Sequence, residues 1–491
     1  MRRLLCVFTA IACVLSCAGC SPSADISEPT SSLIDSDSSS SSPRNLALPY
    51  SKDDTLNPYA ATTEVNLNLA GLLYDSLTVI DDAFMPRLSL AASVTSTDVT
   101  HLTVPLRQGV TFSDGTAVTA ADVKASFDLA RGSATYKKLL ENVVAATPSR
   151  DGSFVTFTLA KGDPNAAACL SFPIIKAGTN TSAVAEAPLG GGQYVYTVGD
   201  GGSYLVANPH YGKKPRYATV GLRHLPKAES MYYGLSSGNI TYYYNDLNQG
   251  EVPRVSGASG RVDMNALVYL GVNPTSEPLG DASVRQALSL LIDRTTLASV
   301  ACAGWALPAT LPFHPHWGKV KEYPPLFDNQ DLAAAATLLG SVEKKDLTLD
   351  LIYSLDSGNR ATLVDTVCTQ LEGAGFRVTV TPLAYEEYIV RMQSGEYDLH
   401  IAEIRLTANM SLDPLFGGAA HYGIPSDGVA AQAYGRYRAG EGTLEEFIAA
   451  FGEELPYIPL LWRCGFAGYD RRLTTVTPHG YDPYYGIADW H

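Results

Sequence analysis

Of the 491 residues 46% are hydrophobic and 17% charged, a globular composition, and the formal net charge is −15. So long a chain exceeds one ordinary core, and two or three lobes are expected. The acidity excludes a nucleic-acid binder, which must neutralise phosphates, and excludes adhesion to an anionic membrane through a basic face.

The chain opens with Arg2 and Arg3, an apolar run Leu4–Leu15 and then small residues. That is the pattern of an export leader, too short and too poorly flanked for a spanning helix. At its end stands Cys17-Ala18-Gly19-Cys20. Elsewhere a C-x-x-C pair would suggest redox or zinc chemistry. Here Ala18-Gly19-Cys20-Ser21 resembles a bacterial lipoprotein processing site, with Cys20 as the lipidated residue and Cys17 as the alternative. Residues 1–19 are therefore expected to be a signal peptide. Residues 20–45, Ser-rich with scattered acids, cannot bury a core and are expected to form a flexible tether. Removing Arg2 and Arg3 leaves the body more acidic still. Cys169, Cys302, Cys368 and Cys464 remain in it. Their wide spacing leaves both disulfides and buried free thiols open.

From Asn57 the pattern alternates short strands and helices. Leu67–Leu73 has helical spacing, Leu102–Leu106 alternates as a strand, and Asp114-Gly115 marks a tight turn. Thr119 followed by Asp122 predicts a capped helix start, each contribution worth about 1 kcal/mol. Val284, Ala287, Leu288, Leu291 and Ile292 form the apolar stripe of a core-facing helix. Farther on, Leu347–Tyr353, Ala361–Leu371, Phe376–Val380, Tyr385–Met392 and Tyr397–Ala402 read strand, helix, strand, helix, strand. That is a βαβαβ lobe with a parallel sheet, whose ligand side lies at the carboxyl ends of its strands.

The run LRQGVTFSDGTAVTAADVKASF resembles the conserved block of the family 5 extracellular solute-binding proteins, the peptide- and nickel-binding receptors of ABC importers. Further blocks follow in the family's order: Pro188–Tyr194, Asn208–Tyr211, Leu235–Ile240, Asn273 with Asp281–Arg294, and Glu454–Leu460. The resemblance implies an α/β fold of the periplasmic-binding-protein type (type II, cluster C), two lobes with an extra subdomain and a hinge-bending cleft. It implies a first-lobe core from 46–75, 187–275 and 455–491, an extra subdomain over 76–186 and a second lobe over 276–454. The function it implies is capture of an extracellular oligopeptide or similar small solute for the importer's permease subunits. The protein would sit at the extracytoplasmic face of the cell membrane, held there by its N-terminal lipid, with no enzymatic activity, cofactor or metal.

The stretch Tyr397–Pro414 carries the candidate site. Glu403 and Arg405 share a parity on an extended backbone and so project to one side. Such a pair is either a solvated surface pair or the charged mouth of a cleft; the βαβαβ topology favours the second. In the peptide-binding branch an Asp of a "W-x-x-D-Y-x-D-P" segment takes the ligand's amino terminus. This chain has neither the Trp nor that Asp, and the insertion before Asp413-Pro414 is longer, so Glu403 is a candidate by position. Arg405 could take a carboxylate bidentately. Thr407, Asn273, Asn245 and Thr63 complete the candidate ligand contacts.

Rival chemistries are also written in the chain. Gly234-Leu235-Ser236-Ser237-Gly238 matches G-x-S-x-G, which would make a surface serine hydrolase of Ser236, but its flanks read helix then strand, the reverse of a nucleophile elbow. Gly190–Gly192 lacks the Lys-Ser/Thr of a phosphate loop and reads as a turn. His314-Pro315-His316 reads as solvated rather than metal-binding, for no third ligand is suggested. Tyr242–Tyr244 and Tyr481–Tyr485 either wall a cleft or pack a core. A peptide sensor or adhesin on the same scaffold is the non-transport alternative.

Overall fold

The computed structural model describes residues 45–248, 252–327, 330–341, 347–356, 360–416 and 424–491. The expected leader, Cys20 and all but the last residue of the tether lie outside the described residues. Five apolar clusters lie among the described residues, and the three largest organise the fold. The first lies on a four-stranded sheet in the order Leu46–Tyr50, Thr219–His224, Gly202–Ala207, Tyr194–Gly199. Leu48, Leu205 and Val220 fill it from the strands, and Tyr484 and Trp490 from the C-terminal segment. The second lies between the sheet Thr95–Asp98, His101–Pro105, Phe154–Leu159, Val143–Pro148 and the helix Ala120–Gly132, with Phe127, Phe157 and Phe172 at its centre. As its sequence predicts, Thr119 caps that helix in a reciprocal box with Asp122.

The third core rests on a seven-stranded sheet. Its order is Tyr242–Asn245, Tyr457–Tyr469, Ala258–Val272, Leu399–Arg405, Thr348–Ser354, Arg377–Leu383, with Ala306–Pro308 beside Tyr457–Tyr469. The predicted βαβαβ unit is present: Thr348–Ser354 pairs parallel with both Arg377–Leu383 and Leu399–Arg405, through helices Arg360–Gly373 and Tyr385–Ser394. The sheet is not wholly parallel, however. Leu399–Arg405 gives its other edge to Ala258–Val272, antiparallel, from Val272↔Leu399 to Ala266↔Arg405. Local periodicity identifies a strand but carries no information about a neighbour more than a hundred residues away.

Ala258–Val272 and Tyr457–Tyr469, 15 and 13 residues long, form a ribbon between cores. At one end Val262 and Ala467 belong to the first core; at the other, Leu267–Leu270 and Tyr457–Trp462 belong to the third. Pairing lapses in between, with register shifts from Asp263 to Leu267 and again at Val268/Tyr269. An irregularity of this kind bends and twists a ribbon locally. The Gly190–Gly192 run serves packing: the Gly192 amide donates to the Leu73 carbonyl at 3.0 Å, and a Cβ on Gly190 would fall 2.2 Å from that oxygen.

A buried polar clasp joins the second core's rim to the third. Arg438 Nη1 donates to Asp163 Oδ1 at 2.6 Å, and the two side chains are 4% and 0% exposed. Asn409 Nδ2 donates to Asp163 Oδ2 at 2.7 Å, and Asn165 Nδ2 to the Asn409 carbonyl at 3.1 Å. Asp413 accepts from Lys161 at 2.9 Å and lies 3.7 Å from Arg438 Nη2. Removing one member of such a pair strands the other charge away from water. Arg438→Ala is therefore expected to lower unfolding free energy by about 3–5 kcal/mol, measured by urea denaturation; a loss below about 1 kcal/mol would show that the clasp contributes little.

Candidate functional site

A cavity of about 730 Å³, within the usual ligand range, opens at the carboxyl end of the Leu399–Arg405 strand. One wall is the strand itself from Ile401 onward, with Tyr388 and Ile389 of the following layer. Arg360, Trp305, Arg463, Leu247, Asn248 and Lys138 also line the cavity. Among the described residues four cations (Lys138, Arg360, Arg405, Arg463) face two carboxylates (Asp356, Glu403). A positive surplus in a protein of net charge −15 is a local feature, set by placement.

Glu403 and Arg405 both line the cavity, but they are not each other's partners. Arg463 grips Glu403 bidentately, Nε to Oε2 at 2.8 Å and Nη2 to Oε1 at 2.9 Å. Arg360 Nη2 adds a third bond to Oε2 at 3.2 Å. Burial alone would raise the Glu403 pKa; the charge of Arg463, then that of Arg360, outweighs it and holds the carboxyl below its usual value. Glu403 is thus committed internally. Arg463 also donates to the Asp246 carbonyl at 2.8 Å and to Asn248 Oδ1 at 2.9 Å, tying the ribbon to the 245–248 turn. Arg405 differs: its side chain is 51% exposed and meets Asp246 Oδ2 through Nη2 at 3.3 Å. Its parity with Glu403 holds, but their neighbours across the sheet decide who pairs with whom.

The other candidates scatter. Asn245 Oδ1 accepts the Leu247 amide at 2.8 Å, shaping the turn that brings Leu247 and Asn248 into the wall. Thr407 Oγ1 donates to Asn409 Oδ1 at 2.6 Å, toward the clasp. The Thr63 amide and hydroxyl both donate to Asp54 Oδ2 at 2.7 Å. Its neighbour Glu64, hemmed in yet reached by solvent, has its pKa pushed up to about 7 by burial and by Asp246, with Arg405 opposing. Asn273 lies apart, in a separate groove, its amide bridging the carbonyls of Gly395 (3.1 Å) and Tyr397 (2.9 Å).

Arg463, Arg360, Asp246 and Glu64 escape a reading of motifs. Arg463 did leave a signal, a lone cation after the apolar run Ile458–Trp462 within one strand.

The rival features resolve structurally. Ser236 ends the helix Ala228–Ser236, donates to the Tyr232 carbonyl at 3.0 Å, and precedes the strand Tyr242–Asn245, so no strand-to-helix elbow presents it. His314 is fully buried rather than solvated: its ring packs on Phe84 and Trp462, and burial drops its pKa to about 3. Removal from water outweighs the polar look of the Pro-rich loop. His316, more exposed, pairs with Asp263. Tyr242 is core, its hydroxyl donating to the Pro483 carbonyl at 2.6 Å and its ring against Trp490. Cys169, Cys302, Cys368 and Cys464 are all free thiols. No three His, Cys, Asp or Glu side chains among the described residues gather to hold a metal ion.

Glu403→Gln leaves Arg360 and Arg463 without their counter-charge and is expected to destabilise the protein by about 3 kcal/mol at neutral pH. A carboxyl with a depressed native pKa contributes its stability above its unfolded value, near 4.3, and loses it as pH falls through the native one. The gap between wild type and variant should therefore close below about pH 4, measured by denaturation at pH 7 and pH 3; a gap equal at both would refute the assignment.

The family described as bacterial extracellular solute-binding proteins, family 5, matches residues 85–418. The glutathione-binding protein GsiB of Escherichia coli (strain K12) is 26% identical over 474 residues, covering 86% of this chain and 89% of the relative. The periplasmic murein tripeptide-binding protein MppA, in its unliganded open form, superimposes with a TM-score of 0.76 at 19% identity, covering 92% of this chain and 98% of its own. NikA from Brucella suis in complex with Fe(III)-EDTA gives 0.68 at 18%, covering 91% and 100%. The fold is accordingly the two-lobed α/β fold of the periplasmic binding proteins. The chain belongs to the family 5 bacterial extracellular solute-binding proteins.

Proposed function

We propose that this solute-binding protein captures a small carboxylate-bearing solute, an acidic peptide of about glutathione's size, by closing two lobes on the cationic cavity. Delivery of an extracellular solute to an ABC importer is its role. The observation that carries the ligand class is Arg405, half exposed on the cavity wall and held by one long contact, in a lining rich in cations. A guanidinium so placed can present two parallel donors to a ligand carboxylate. Glu403, already gripped by two arginines, is poorly placed to receive an ammonium. The curated relative from Escherichia coli is named for glutathione, a tripeptide with two carboxylates. Tyr388, Tyr385 and Trp305 supply apolar faces beside the charges.

Closure follows from differential contact. A ligand touching both walls binds the closed form better and shifts the population by that difference. We take the ribbon, with its lapse between Asp263 and Leu267, as the hinge. It would join a first lobe that includes Val262 and Ala467 to a second that includes Leu267–Leu270 and Tyr457–Trp462, so the boundaries expected near 275 and 455 move to the lapse itself, with 76–186 as the added subdomain. We also propose that Cys20 carries a lipid anchoring the protein at the outer face of the cytoplasmic membrane. The leader supports this, and no helix among the described residues is long and apolar enough to cross a membrane.

Acidic tri- and tetrapeptides and glutathione are expected to raise the melting temperature where lysine-rich peptides do not, the stabilisation approaching about 2.7 kcal/mol at a hundredfold excess over Kd. Arg405→Ala should weaken that binding about tenfold to a hundredfold, the worth of one charge-assisted contact. Titration calorimetry checks both, and equal response to acidic and basic peptides would overturn the ligand class. Metabolic labelling with palmitate should mark the wild type and not Cys20→Ala; equal labelling of the two would place the lipid elsewhere.

A further inference from the structure

We propose that Asp246 is the displaceable counter-ion of Arg405: it holds the guanidinium in the empty cleft, and capture exchanges it for the ligand's own carboxylate. This rests on the preceding reading of Arg405 as the carboxylate receptor, and it makes Asp246 the residue that sets the site's charge selectivity.

Two arginine–carboxylate pairs reach this cavity through Arg463, Glu403 and Arg405, and they are built differently. Arg463 and Glu403 meet bidentately at 2.8 and 2.9 Å, within the range of strong charge-assisted bonds. Arg405 and Asp246 share one contact at 3.3 Å. That is long and single-ended, and the rest of a half-exposed guanidinium is left facing the cavity. The first pair is a permanent strut and the second is the one a ligand can open.

Asp246 is equipped to be left behind. Its side chain is 8% exposed, Oδ1 accepts the Asn248 amide at 3.0 Å, and Oδ2 accepts from the Asn248 side chain. Its main-chain carbonyl is pinned by Arg463. The carboxylate therefore keeps two donors when Arg405 turns away, so exchange strands no bare charge. The turn that presents it is wound tightly: Leu247 is a non-glycine residue at φ 56°, a conformation that persists only where its surroundings enforce it.

The test uses the full chain with glutathione as probe. Asp246→Asn is expected to tighten glutathione binding about tenfold at pH 7. Added to Arg405→Gln, Asp246→Asn should change nothing further. Where wild type binds glutathione, unchanged or weaker binding by Asp246→Asn overturns the proposal. A second readout needs no ligand: modification of Arg405 by phenylglyoxal, followed by mass spectrometry, should be several-fold faster in Asp246→Asn than in wild type. Equal rates overturn the proposal. If wild type and Asp246→Asn both ignore glutathione yet the modification rates differ, the counter-ion stands and the glutathione-like ligand class falls.

Discussion

One guanidinium holds the candidate site together. Arg463 lies on a strand whose neighbours are almost all apolar and buried, and a charge there persists only if every donor finds an acceptor. It reaches Glu403 on one side, and the Asp246 carbonyl and Asn248 side chain on the other. The same atom cluster therefore joins the long ribbon, the parallel unit and the 245–248 turn. Because Arg463 satisfies Glu403, the strand can end in a pair of charges without their collapsing onto each other, and Arg405 is left turned to the cavity.

That division of labour explains how an acidic protein offers a cationic cleft. Net charge governs solubility and long-range steering, while the field inside a low-dielectric cleft is set by the few groups lining it. The lining carries four cations and two carboxylates, while Asp246 and Glu141, paired with Arg405 and Lys138, offset part of that charge from just outside it. Glu403 and Asp246 keep the wall from being a bare cluster of arginines, whose mutual repulsion would cost the folded state.

Closure draws on a different pairing of rigid and reversible parts. The ribbon is continuous through two cores, and its pairing lapses in register between them. The Asp163–Arg438 clasp is a buried ion pair held by one short hydrogen bond, and such a pair gains little net stability over its hydrated partners. Phe84 packs on His314 and Tyr481, an apolar contact near the ribbon's bend. Thr407 and Asn409 carry the strand that bears Glu403 and Arg405 directly to the clasp, so the cavity wall and the clasp share one short stretch of chain.

Local chemistry alone specified much of this protein. The capped helix after Thr119, the stripe from Val284 to Ile292, the five elements from Thr348 to Arg405 and the projection of Glu403 and Arg405 to one side all follow from periods of 3.6 and 2 and from the free amides at a helix start. Motif order pointed to the family before any coordinate did. Partnership was another matter. Arg463 is 60 residues from Glu403, and Asp246 is 159 from Arg405; nothing in either segment announces the other. The antiparallel neighbour of the Leu399 strand, the burial of His314 and the separation of Asn273 from the cleft are likewise products of long-range packing. Side-chain direction is encoded within a few residues of chain, whereas the identity of what it meets depends on how distant strands come into register, which only the folded core decides.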